Sequence, residues 1–411
     1  MNPPFRRVER LSPEELRARL FQAVKAGEPE RLAELCRVHL QAVLEQFPGW
    51  KQVPPEIRED PARVREYAEG LIRVAQTFAE TLGRPELLQG LAGAPESNPL
   101  VQWEGALREA AARAEGGRHA EAAALLESFL PSVEGLKGTG VEEYLPVTYG
   151  RLGEYCFRSG ARARGLRATA RALALCEGQG DAEGVVAYLG NLYEMNRACG
   201  MLEAAAEYAG RLAEVLAREG RPGEQAVWLN NLAELRRATG DLPAAEPLYR
   251  QALEILEGLP EKRPPDQAVF LNNLAELYRE RGDYPAAAPL YREALELQRA
   301  ATGEDDPGFA TTLNNQALLF LSTGDLTAAE SLLLRSFEIR RASLGEEHLQ
   351  VAQSLNNLGA LRQAQGRCSE AEPLLRQALE IKRRVLGDYH PEVAVALRNL
   401  AALEERMRGG S

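Results

Sequence analysis

The stretch Val269–Ala300, VFLNNLAELYRERGDYPAAAPLYREALELQRA, decides how the chain folds. Leu271, Leu274, Ala275 and Tyr278 stand at i, i+3, i+4 and i+7, which places them on one face of a helix. Gly282 suits the left-handed position after a helix, and Asp283 suits the start of the next. The segment that follows carries Ala287, Leu290, Tyr291, Ala294 and Leu295 on its inner face, with Arg292 and Glu293 outside. The stretch therefore predicts a helix hairpin. Asn272 and Asn273 run against that reading, since an interior Asn costs roughly 0.5 kcal/mol against Ala because its amide competes for backbone hydrogen bonds.

The asparagine pair recurs as Asn230 and Asn231, Asn314 and Asn315, and Asn356 and Asn357, at a period of 42 residues. Gly240, Gly282, Gly324 and Gly366 keep the same period, Gly160, Gly200 and Gly240 are spaced by 40, and Gly117 marks a fainter copy. Small residues mark the close helix crossings: Ala233, Ala275, Ala317 and Gly359 in first helices, with Ala245, Ala287, Ala329 and Ala371 in second helices. Seven helix pairs are expected. One hairpin cannot bury its apolar face alone, so stacked neighbours share a continuous core and the array grows as a superhelix. From about Pro391 to Met407 a first-helix pattern returns without a partner, and Glu404, Glu405 and Arg406 suit a solvated outer face, so this helix is expected to cap the array.

The motif LNNLAELYRERGDYPAAAPLYREALEL resembles the tetratricopeptide repeat (TPR), specifically the 42-residue type of kinesin light chains and many bacterial repeat proteins. Four near-full copies cover about residues 223 to 386, and copies from about 99 to 222 match more weakly. The resemblance implies an all-α, right-handed α-solenoid superhelix. No a/d heptad run precedes the repeats where the heavy-chain-binding coiled coil of a kinesin light chain would be expected, which points to a bacterial relative rather than a motor subunit. The expected division is an N-terminal helical region at 1–97, divergent repeats at 98–222, kinesin-light-chain-like repeats at 223–388, and a capping helix with tail at 389–411. In the first of these, two helices are expected to break at Gly27, with Ser12 as N-cap and Pro13 at the first helical position. A Pro-rich break at 48–61, a longer helix near 62–82 and a linker at 90–99 follow. This region reads as a helical cap over the first repeat, with a partner-specific docking module as the alternative.

Composition fits a helical array and excludes several functions. At 411 residues the chain exceeds one compact domain, and only 6% aromatic residues favours small-residue helix packing over a sandwich or barrel. A formal charge of −11 argues against nucleic acid, whose phosphates call for a basic stripe. Of 49 basic residues 44 are arginine, which supplies planar donors for carboxylates. Five cysteines without a CxxC read as reduced thiols, no segment approaches the ~20 apolar residues of a membrane span, and no signal peptide opens the chain, so a cytoplasmic protein is expected. Phosphate-loop, GxSxG and HExxH motifs are absent from the sequence. His348 and His390 repeat at 42 residues and read as helix starters, while Glu154, Glu194, Glu234 and Glu276 recur with the array as no unique acid or base would. The expectation is a non-enzyme with no cofactor and no metal.

A candidate site lies on the first helices. With Leu271, Leu274, Ala275 and Tyr278 buried, Asn272, Asn273, Glu276 and Arg279 are expected to point away from the packing. In TPR proteins such positions line the concave surface, where an Asn hydrogen-bonds the backbone of an extended peptide; the resemblance extends that role to Asn191, Asn231, Asn273, Asn315, Asn357 and Asn399, with Arg151 one repeat earlier. A carboxamide offers a peptide unit both donor and acceptor. Arg197, Arg237 and Arg279 read either as receivers of acidic ligand side chains or as solvated i, i+3 partners of Glu194, Glu234 and Glu276. Leu318 and Leu321 replace the Glu and Arg one repeat on and mark an apolar anchor. The asparagines have an alternative, bonding between neighbouring first helices to brace the superhelix. The functional expectation is a scaffold or adaptor binding an extended segment of another protein; the alternative is a ligand-responsive sensor that switches a protease or transcription factor.

Overall fold

The computed structural model describes residues 12–38, scattered positions between 67 and 77, and residues 99–134 and 145–409. Every regular element in this range is a helix. The described helices belong to two compact units, residues 1–181 and 182–411. That boundary falls inside the span read above as divergent repeats, because compactness follows packing between adjoining helices whereas the sequence division follows likeness to the repeat.

The first unit holds α1 (Pro13–Lys25), α2 (Pro29–Val38), α3 (Pro99–Glu115), α4 (His119–Glu134), α5 (Leu145–Arg158) and α6 (Arg162–Gln179). The expected start at Ser12 is a full capping box: its hydroxyl accepts from the Glu15 N–H at 3.2 Å, and the Glu15 carboxylate accepts from the Ser12 N–H at 2.9 Å. The Pro-rich break and the linker at 90–98 lie outside the described residues, as does most of the helix expected near 62–82. Helices α5 and α6 touch backbone to backbone. A Cβ added at Gly165 would stand 2.8 Å from the Gly153 carbonyl oxygen and 2.9 Å from the Phe157 nitrogen, so only glycine permits this crossing.

The second unit runs through five helix pairs and a final single helix: α7 (Ala182–Ala198), α8 (Leu202–Arg218), α9 (Pro222–Ala238), α10 (Leu242–Gly258), α11 (Pro264–Arg281), α12 (Tyr284–Ala301), α13 (Pro307–Thr323), α14 (Leu326–Leu344), α15 (Leu349–Ala364), α16 (Cys368–Leu386) and α17 (Pro391–Gly409). The repeat chemistry does what its residues dictate. Gly282 ends α11 at φ 83°, where a side chain would be strained, and the Asp241, Asp283 and Asp325 carboxylates accept from Ala244, Ala286 and Ala328 N–H groups to start the next helix. The alanines at the crossings, Ala233, Ala275 and Ala317 against Ala245, Ala287 and Ala329, are fully buried, and Tyr249 and Tyr291 fill the space between them. With the first unit's α3–α4 and α5–α6, seven pairs from α3 onward precede α17 among the described helices, and α1–α2 forms a further pair outside the repeat. The described residues are all-α, and within the second unit the hairpins stack as an α-solenoid.

Cys156, Cys176, Cys199 and Cys368 are free thiols. No described helix is long and apolar enough to cross a membrane.

Candidate functional site

The paired asparagines form a hydrogen-bonded ladder from one first helix to the next. The second Asn of each pair reaches back 43 residues: Asn273 Nδ2 donates to Asn230 Oδ1 at 3.1 Å, Asn315 to Asn272 at 3.2 Å, and Asn357 to Asn314 at 2.8 Å. Within a pair, Asn272 Nδ2 donates to Asn273 Oδ1 and Asn314 to Asn315, both at 3.3 Å. An unbroken run of amides therefore links α15, α13, α11 and α9 through Asn357, Asn314, Asn315, Asn272, Asn273 and Asn230. Asn399 extends it toward Asn356 with a longer contact of 3.5 Å.

Asn272 does not point away from the packing as its sequence position suggested. It is buried, as are Asn230 and Asn314, because a first helix in a stack is covered on two flanks, by its own second helix and by the first helix of the neighbouring repeat. Asn273 and Asn315 are half-buried and Asn357 is buried. Each rung uses one amide hydrogen and one lone pair, which leaves the second hydrogen and the second lone pair of the carboxamide unspent. At the near end, Asn191 is exposed and Asn231 half-buried, and neither has a side-chain hydrogen bond among the described residues. Both lie in the second unit. Arg151 stands exposed on α5 in the first unit, with Nη1 3.5 Å from Tyr155 Oη.

One turn beyond the ladder the arginines already hold carboxylates. Arg279 grips Glu276 through two bonds of 2.6 and 2.9 Å, and Tyr291 Oη donates to the same carboxylate at 2.7 Å. Burial of Glu276 opposes its ionisation, but the bonds from Arg279 and Tyr291 outweigh that and hold its pKa below the usual carboxylate range. Burial, with Glu276 beside it, pushes the Tyr291 phenol well above its ordinary value. Arg237 pairs across to Glu280 at 2.5 Å, and Arg197 pairs with Glu194 at 2.9 Å on an exposed surface. Leu318 and Leu321 are half-buried on α13, and Leu321 packs against the Ala317, Ala329, Leu333, Leu358 and Leu361 cluster. Along the six first helices of this unit the predicted residues thus sort into an amide row, a row of neutralised arginines and one apolar step.

Sequence reasoning passed over Arg340, whose side chain is only 2% exposed on α14. Its guanidinium donates to the Gln350 carbonyl (3.2 Å), the Ser354 hydroxyl (3.0 Å) and the Thr311 hydroxyl (3.3 Å), and no carboxylate among the described residues pairs with it. Burial pulls its pKa down to about 10. Reading the array in register would have found it: Leu256, Gln298, Arg340 and Lys382 share one repeat position, and Lys382 pairs with Glu392 where Arg340 meets Gln350. Arg340→Leu should therefore raise stability by about 1–3 kcal/mol, read as a higher urea midpoint, since a buried charge without a counterion costs more than its hydrogen bonds return. Ser354 and Thr311 keep helix carbonyl acceptors of their own, so the substitution orphans neither hydroxyl. A lower midpoint would show that the three bonds outweigh the desolvation.

Among the described residues, no His, Cys, Asp and Glu cluster could hold a metal ion. A tetratricopeptide-repeat family model matches residues 224–300, 308–384 and 350–409, and a second such model matches 272–343. No curated protein sequence matches the chain. Similar solved structures include BtubC (BKLC) from P. vanneervenii, at 29% identity over 50% of this chain and 83% of that one with a TM-score of 0.44. A tetratricopeptide repeat protein from Parabacteroides merdae matches at 15% identity over 74% and 98% of the two chains, TM-score 0.51. A signal transduction ATPase with a tetratricopeptide repeat sensor from Pyrococcus horikoshii matches at 15% identity and TM-score 0.52, over 97% of this chain and 56% of its own. At 15% identity these two likenesses speak to the fold alone. With the 42-residue period, the glycine and aspartate punctuation and the alanine crossings in place, residues 224–409 are built of tetratricopeptide repeats.

Proposed function

We propose that the protein is a non-catalytic scaffold whose first helices bind an extended segment of a partner protein. Tetratricopeptide repeats as a class mediate protein–protein interaction through such surfaces. The observation that carries the reading is the amide ladder. Its rungs are held in place by one another, so a main chain laid along Asn273, Asn315 and Asn357 meets donors and acceptors whose rotamers are already ordered, and preorganisation lowers the entropic cost of binding. Bracing and binding are compatible here, because each rung keeps half of its hydrogen-bonding capacity. The Leu318 and Leu321 step offers an apolar contact on α13. Acidic side chains of a ligand fit Arg197 best, where the guanidinium is exposed and its bond to Glu194 is a solvated one.

Asn191 and Asn231 separate binding from stability because neither is tied into the ladder. A library of extended peptides panned against the protein supplies ligands for fluorescence polarisation against the wild type and the Asn191→Ala, Asn231→Ala double variant. Two lost peptide bonds at about 0.5–1.5 kcal/mol each predict roughly five- to one-hundred-fold weaker binding with an unchanged melting temperature. Unchanged affinity for every selected peptide would overturn the reading. Small-angle scattering on the same complexes distinguishes a scaffold, whose profile stays the same, from the sensor alternative, whose repeat array changes pitch.

A further inference from the structure

One set of three side chains occurs twice in the second unit and is complete only once. Glu276 and Arg279 on α11 with Tyr291 on α12 stand 42 residues after Glu234 and Arg237 on α9 with Tyr249 on α10. In the later set the Glu276 carboxylate accepts from Nε and Nη2 of Arg279 and from the Tyr291 hydroxyl, so three donors converge on it. In the earlier set the matching donors are buried without an acceptor. Tyr249 is 0% exposed and its Oη has no hydrogen-bond partner among the described residues, and Arg237 Nε is buried without one as well. The two side chains are neighbours: burial pushes the pKa of the Tyr249 phenol up to about 12, and Arg237 beside it pulls the other way. Glu234, the carboxylate due at this point, is exposed and has no hydrogen bond or ion pair among the described residues.

A single residue of the next repeat accounts for the difference. Arg237 Nη1 donates across to Glu280 on α11 at 2.5 Å, which draws the guanidinium away from its own Glu234. At the positions corresponding to Glu280, Arg279 meets Ser322 and Arg197 meets Ala238, neither of them an acid, and both arginines hold their own glutamates instead. Binding Glu280 through Nη1 leaves Arg237 with its Nε and Nη2 edge, the edge by which Arg279 grips a carboxylate. A buried donor without an acceptor is costly, and in the matching set the acceptor is a carboxylate. We propose that Arg237 and Tyr249 form a receiving site for a carboxylate brought by a ligand, an Asp or Glu side chain of the partner segment, held as Arg279 and Tyr291 hold Glu276. The delivery of that carboxylate rests on the scaffold reading above; the donor pair does not. Access matches the filled site, since the Arg237 side chain is 22% exposed and that of Arg279 20%. Arg197 offers an acidic side chain a solvated contact, whereas this pair offers charge-assisted bonds out of water and turns away the isosteric amide, whose N–H would face donors. Glu234 is the built-in rival for the same position.

Fluorine NMR of the full chain labelled with 3-fluorotyrosine tests this, using a blocked Gly-Glu-Gly peptide and its Gly-Gln-Gly counterpart as probes. Tyr249→Phe and Tyr291→Phe assign the two resonances. The glutamate peptide should shift the Tyr249 resonance saturably at millimolar concentration and leave Tyr291, whose carboxylate is already in place, unmoved; the glutamine peptide should move neither. Glu280→Gln should return Arg237 to Glu234, close the site and abolish the response. Glu234→Gln removes the rival and one like charge, and should tighten binding of the glutamate peptide about two- to fivefold. Thermal melts of the free protein give a second readout: Tyr249→Phe removes a hydroxyl without a partner and should leave the melting temperature unchanged or higher, whereas Tyr291→Phe should lower it. A Tyr249 resonance that ignores the glutamate peptide, equal responses to both peptides, a response that survives Glu280→Gln, or a Tyr249→Phe protein that melts as early as Tyr291→Phe would each overturn the proposal. Failure of the scaffold reading alone looks different, since Tyr249 would still answer the blocked peptide while no extended peptide is selected.

Discussion

Asn272→Leu combined with Asn314→Leu is expected to destabilise the second unit by about 2–4 kcal/mol. Each substitution removes an acceptor from a donor that stays behind in the stack: Asn315 Nδ2 loses Asn272 Oδ1, and Asn357 Nδ2 loses Asn314 Oδ1. A buried donor left unmade costs about 1–3 kcal/mol, whereas the gain in helix propensity on going from Asn to Leu returns only about 0.5 kcal/mol per site. Asn273 and Asn315 also lose the amide hydrogens that hold their rotamers. In a repeat array stability is a sum of unit terms and neighbour terms, and the ladder belongs to the neighbour term. The variant should therefore unfold over a broader denaturant range, with native-state hydrogen exchange accelerating first in α13 and α15. A sharp transition at an unshifted midpoint would mean that the ladder adds nothing to coupling between repeats, and its amides would then be left wholly to a ligand.

Gly165→Val is expected to destabilise the first unit by about 3 kcal/mol or more. The new Cβ would press on the Gly153 carbonyl oxygen and the Phe157 nitrogen, both backbone atoms of α5, at distances that real Cβ atoms do not adopt. A side chain can rotate out of such a clash, but a helix backbone has to translate. Moving α5 from α6 would open the packing around Thr169, buried beside the same crossing. Gly178, with no atom within 4 Å of an added Cβ, is the control on the same helix: Gly178→Ala should be neutral or slightly stabilising. Thermal melts of the two variants measure the difference. Equal melting temperatures would show that the crossing has slack.

Some features of this protein are settled by residue type and spacing alone. The period of 42, the glycines that leave the helical basin after the first helices, the aspartates that start three of the second ones, and the small residues at the crossings are local or strictly periodic properties. Even the N-cap at Ser12 was readable, because a cap involves only four consecutive residues. What the sequence left open was which flank of a helix a polar residue faces. An i, i+3, i+4, i+7 pattern identifies the face against a helix's own partner, but a stacked helix is covered on a second flank by the next repeat, about forty residues away. Asn272 lies on that flank, so the helical wheel put it outside and the stack puts it inside. Arg340 was hidden for the same reason, as it sits between Thr311 of its own repeat and Ser354 of the next. Conversely, α17 carries a complete first-helix pattern, and only the tertiary structure tells that its Leu397 is left uncovered. Burial on the second flank is a property of pairs of repeats, and a single repeat's sequence contains only half of each pair.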